Sequence, residues 1–124
     1  MPLALAVALG GALGALARYG LMSLVERRTL TVFPWDVFVV NLSGCFLVGF
    51  VISALVDRHE APAWLRVGLA LGFIGAYTTF STFAQDLYDL RLEREYLLAA
   101  LDLMGSVGLG VLAVAAGTWL GRLV

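Results

Sequence analysis

Four apolar stretches, at about residues 3–25, 37–56, 64–88 and 96–120, fill most of this 124-residue chain. Each is long enough to cross a bilayer as a helix, which takes ~20 apolar residues. In the hydrocarbon core no water is available to backbone N–H and C=O groups, so they must be satisfied within the protein. Composition closes off a water-soluble alternative: 61% of the residues are hydrophobic and 14% charged, with a mean hydropathy of +0.94. That is too little charge to clothe a soluble domain. The connections are short, so the expectation is a single all-α integral membrane domain over residues 1–124 with four transmembrane helices.

Several function classes fall away at once. The formal net charge is −1 and all eight basic residues are Arg, with no basic run that would suit nucleic acid. Cys45 stands alone in an apolar run, so no disulfide framework can form within one chain. His59 is the one histidine and offers no metal cluster. No nucleophile–base pair suggests an enzyme. The first apolar stretch lacks a basic leader and is too long and Gly-rich for a cleaved secretory signal, so it reads as a retained helix.

The third stretch is the unusual one. Residues 72–83 carry two glycines, a tyrosine and a repeated Thr-Phe pair where an inert span would carry Leu and Val. Irregular backbone at membrane depth survives only where it is buried in protein or lines a wet cavity. Two readings follow: a helix broken in mid-membrane at a binding or permeation site, or a softened helix packed closely on a neighbour. The three-residue spacing of the Thr-Phe pairs favours a site.

The other stretches each carry a polar residue that lipid would not tolerate freely. Arg18 lies about five residues from the end of the first helix, where it either snorkels to the interface or faces a water-filled vestibule. Asn41 lies about one turn inside the second, with Cys45 four residues on and on the same face; its carboxamide is either helix–helix glue or a pore-lining donor. On the fourth, Asp102 and Ser106 share a face, and a carboxylate there must turn to protein or water. Gly10 with Gly14, and Gly117 with Gly121, are spaced for close helix approach.

Charge bears on orientation. Four spans place Arg27, Arg28, Arg91 and Arg94 on one side and Arg58, Arg66, Arg122 and the terminal amine on the other. Orientation follows the difference in basic residues between the two sides, and here it is nearly nil. Insertion both ways is therefore expected. Since four short helices enclose a pore poorly, an antiparallel dual-topology homodimer is expected with it.

Three strings resemble the Fluc (also called CrcB) family of small fluoride channels, over essentially the whole chain. They are Gly11-x-x-Gly14-Ala15-x-x-Arg18-Tyr19, Val40-Asn41-x-x-Gly44-x-Phe46-x-x-Gly49, and Gly72-Phe73-x-Gly75-x-x-Thr78-Thr79-Phe80-Ser81-Thr82-Phe83. The resemblance implies an antiparallel homodimer in the cell inner (plasma) membrane, with two fluoride pathways and a central structural Na⁺. It implies a role in lowering cytoplasmic fluoride. It assigns Phe80 and Phe83 to the rings flanking each path, Asn41 to the pore asparagine, and Ser81, Thr82 and Ser106 to the hydroxyl lining. Arg18 becomes the vestibule arginine, and the carbonyls of Gly75 and Thr78 become Na⁺ ligands. The chain departs from the family pattern at Asp36-Val37, Cys45, Asp102 and Gly110.

The chemistry suits a small, strongly hydrated anion: a pore must offer donors in place of water without holding the ion too tightly. Asn41 and the hydroxyls are donors, and the electropositive edges of Phe80 and Phe83 can face an anion. The rival is a small multidrug-type, proton-coupled exporter with dual topology. It would use a membrane carboxylate in the first helix, where this chain has none; Asp102 is the only candidate.

Overall fold

The computed structural model describes residues 1–56 and 61–124; residues 57–60, where the sequence places Arg58, His59 and the second loop, lie outside the described residues. Every regular element among the described residues is helical. In order they are α1 (Leu3–Glu26), α2 (Trp35–Val51) with a π-helical extension (Ile52–Val56), α3 (Ala63–Val67) running into a π-helical stretch (Gly68–Ile74), α4 (Gly75–Tyr77), α5 (Phe80–Leu92) and α6 (Tyr96–Gly121). Together they make four apolar helical spans: Leu3–Glu26, Trp35–Leu55, Ala63–Leu92 and Tyr96–Gly121.

Two helix pairs organise the molecule, and glycine sets both. The first pair is α1 against the π-helical stretch and α4. A Cβ on Gly14 would overlap the Phe73 carbonyl and one on Gly10 the Gly68 carbonyl, so the two backbones meet directly. The second pair, the most extensive contact in the fold, is α2 against α6. There a Cβ on Gly117 would overlap the Phe46 carbonyl, and one on Gly49 that of Val114. Both small-residue pairs read from the sequence thus lie at backbone-to-backbone contacts, where dispersion rather than water exclusion holds helices together. Ser53 closes the second pair, its one hydroxyl proton shared between Gly49 O (2.8 Å) and, across the pair, Thr118 O (3.1 Å).

The third span extends one turn beyond residue 88, because the charges from Asp86 onward do not end a helix. A backbone feature ends it. Arg94 takes φ 62°, while Arg94 N–H donates to Arg91 O (3.1 Å) and Glu95 N–H to Leu90 O (2.8 Å). This is a Schellman stop with an arginine at the left-handed position that glycine usually fills. At the other boundary, Phe33, Trp35 and Phe38 cluster with ring centroids 4.7–5.7 Å apart, an aromatic anchor at the start of α2.

Candidate functional site

The site forms where helical geometry lapses. After Tyr77 the chain takes extended dihedrals at Thr78 (φ −82°, ψ 159°) and Thr79 (φ −147°, ψ 111°), and α5 starts at Phe80. A continuing helix would bring Thr79 N–H to Gly75 O and Thr82 N–H to Thr78 O. Both donors are diverted. Thr79 N–H goes to Asn41 Oδ1 (2.9 Å), and Thr82 N–H to Thr79 Oγ1 (3.3 Å), which caps α5. The carbonyls of Gly75 and Thr78 are thereby released from the helical ladder.

Asn41 is the clamp. Its Oδ1 accepts from Thr79 N–H while its Nδ2 donates to Thr79 O (3.0 Å), so the carboxamide pairs with Thr79 as a neighbouring strand would. Of the two roles open to Asn41, glue between helices is thus filled by one amide proton; the second remains for another acceptor. Gly44, one turn on, leaves room for this pairing: a Cβ there would collide with Thr78 Cγ2 and lie 3.3 Å from the Tyr77 ring. Tyr77 itself is buried and its hydroxyl meets Ser43 Oγ at 2.7 Å.

An open groove of about 470 Å³ runs along this interruption. It brings together Asn41, Gly75, Thr78, Phe80, Phe83 and Ser106, with Thr79, Gly44 and Cys45 beside them. The two rings sit 6.1 Å apart, tilted by 56°, but their settings differ. Phe83 is 8% exposed and Phe80 80% exposed in the single chain. Ser81 and Thr82 are not among the groove's lining residues. Their hydroxyls turn to Thr79 Oγ1 instead, at 3.4 and 2.9 Å.

Arg18 is half-buried and sends Nη1 inward to Thr78 O (3.4 Å). Its guanidinium therefore shares the carbonyl that the resemblance assigns to Na⁺. Ser106 donates to Asp102 Oδ1 (3.0 Å) one turn before it. Two partners went unread in the sequence. Thr79, inside the quoted string, is both strand-like partner and helix cap, a role its Thr-x-x-Thr spacing before a helix could have signalled. Tyr77–Ser43 pairs residues on different helices, which no spacing rule reveals.

The chemistry of the groove is that of neutral donors and hard carbonyl oxygens on an apolar wall. Among the described residues no His, Cys, Asp and Glu side chains gather to ligate a metal. A cation here would be held by backbone oxygens.

Comparison with known proteins agrees with this architecture. The family model described as CrcB-like protein, Camphor Resistance (CrcB), matches residues 5–118. A protein of Acidobacterium capsulatum named fluoride-specific ion channel FluC is 46% identical over 95% of this chain and 91% of its own length. Proteins of the same name from Solibacter usitatus (40% identical; 95% of this chain, 97% of the relative) and Nitratidesulfovibrio vulgaris (44%; 94% of each) are similar along their lengths. With the match running through all four spans and the Asn41–Thr79 interruption, this chain belongs to the CrcB family.

Proposed function

We propose that this chain is a fluoride-selective ion channel. The observation that carries the reading is the extended pair Thr78–Thr79, clamped by Asn41 in a groove shared with Phe80, Phe83 and Ser106. The names of the relatives support the ion. Fluoride entering the groove would exchange water for the spare Asn41 amide proton and the ring edges of the two phenylalanines, and for the Ser106 hydroxyl when its proton is released from Asp102. None of these donors is charged, so the ion is dehydrated without being trapped. In a cell membrane negative inside, each anion leaving gains about 2.3 kcal/mol per 100 mV, so the flow would be outward.

The groove is open on one side, and Phe80 projects from it. A second, antiparallel copy is the reading that covers it and yields two pathways per dimer. In that assembly the interruption would lie at mid-membrane, with the Gly75 and Thr78 carbonyls of both chains converging. The fit to a structural Na⁺ is supported by the two carbonyls released from the helix, since neutral hard oxygens suit an alkali cation. Bound there, the ion would supply backbone satisfaction and positive potential beside the anion paths. Arg18, on the same Thr78 carbonyl, would contribute potential of the same sign and limit how much charge that oxygen can share. Ser81 and Thr82 would then act by fixing Thr79 rather than by lining the path.

The exporter reading finds no support: Asp102 lies on α6, held by Ser106, and the matched family is CrcB. The experiment is anion efflux from liposomes holding the purified protein. Fluoride efflux is expected with no chloride efflux and no need of a proton gradient. Absence of fluoride efflux, or equal chloride efflux, overturns the reading.

A further inference from the structure

Asp102 is 1% exposed, the most deeply buried ionisable group described. One oxygen, Oδ1, accepts the Ser106 hydroxyl; the other, Oδ2, is buried with no hydrogen-bond partner. Ser106 lines the groove, so Asp102 decides which way a groove hydroxyl points. We propose that Asp102 is a positioning residue whose protonation turns the Ser106 hydroxyl toward the anion path and raises conduction. This rests on the reading of the groove as the fluoride route.

An ionised carboxylate only accepts, so it holds the Ser106 proton, and Ser106 shows lone pairs to the groove. That arrangement repels an anion. A proton taken up from water makes Asp102 a donor. The acid O–H then donates to Ser106 Oγ, and the freed Ser106 proton donates to the ion. With an anion present this gives two hydrogen bonds in place of one. Neutralising Asp102 also removes a negative charge beside the path, so both effects have the same sign.

The neighbouring groups matter to the titration. Asp86 on α5 lies within electrostatic reach of Asp102, and of Asp36 in the first turn of α2 and Asp89 on its own helix. Cys45 faces α6 from α2, near Gly110. The π-helical extension of α2, Ile52–Val56, brings no titratable side chain. Among the described residues Asp86 is thus a carboxylate that competes with Asp102 for a proton, while the Ser106 hydroxyl goes to Asp102.

The test is fluoride efflux from liposomes between about pH 8 and pH 5, corrected for protein-free liposomes. Wild type should conduct roughly fivefold to tenfold faster at the acid end, the factor one ordinary hydrogen bond carries net. Asp102→Asn should be independent of pH at the faster level. Ser106→Ala should be slower and keep only the minor part of the rise that loss of the Asp102 charge carries, and Asp86→Asn should keep the wild-type profile. A wild-type rise that persists in Asp102→Asn overturns the proposal. An undiminished rise in Ser106→Ala also overturns it, since charge alone would then act; this arm carries the test if Asp102→Asn does not assemble. A protein conducting no fluoride at any pH overturns the channel reading itself.

Discussion

Asn41 illustrates how one side chain can hold a membrane helix open. Its carboxamide satisfies the N–H and C=O of Thr79 together, a task water would perform in a soluble loop. Replacing it with Ala leaves two backbone groups unpaired at a half-buried site, at a cost of about 2–4 kcal/mol. Denaturant unfolding in detergent should show that loss, with Asn41→Asp intermediate because it keeps the acceptor for Thr79 N–H. Unchanged stability in Asn41→Ala would mean that the extended pair stands without its clamp. The two phenylalanines separate in the same way. Phe83→Ile, at a buried position, should cost ~1 kcal/mol within the chain, whereas Phe80→Ile should cost the isolated chain almost nothing. Fluoride flux should fall in both. Wild-type flux in both would return the rings to plain packing.

Among the elements, α5 is the one whose two ends are set by local chemistry. Thr79 caps its start, and Arg94 in the left-handed region closes it. A side chain at that φ is strained where glycine is not. Arg94→Gly should therefore raise stability by about 0.5–1 kcal/mol, part of the gain being offset by the freer unfolded chain. Arg94→Lys, which keeps both charge and Cβ, should be neutral. A thermal melt in which the glycine variant falls below the lysine one would contradict this account of the stop. The π-helical stretch Gly68–Ile74 belongs to the same scale. Its glycines let α1 approach to backbone contact, and widened turns of this kind often sit beside functional sites.

For the whole molecule, the decisive quantity is the basic-residue balance. With four arginines facing three and a terminal amine, a reporter fused to the C-terminus should appear on both sides of the membrane. Two added lysines beside Arg58 should drive most copies one way and reduce both assembly and flux. A uniform orientation in the unmodified chain would remove the basis for an antiparallel homodimer.

Four helix-length apolar runs, the Gly10–Gly14 and Gly117–Gly121 pairs and the weakened stretch 72–83 were legible without a structure. Each rests on chemistry local in sequence: hydrophobic length, residue size and the absence of water in lipid. The family strings were legible for the same reason, being contiguous. What the tertiary structure decided lies between helices. Only the fold brings Asn41 across to Thr79, thirty-eight positions away, because the Gly44 contact lets α2 lie against the interruption. Only the fold turns Ser81 and Thr82 toward Thr79, aims Arg18 at Thr78 O, and buries Phe83 while leaving Phe80 outside. Sequence spacing states which residues share a helix face; which neighbour that face meets depends on how the other helices pack, and that is decided by the backbone contacts their glycines permit.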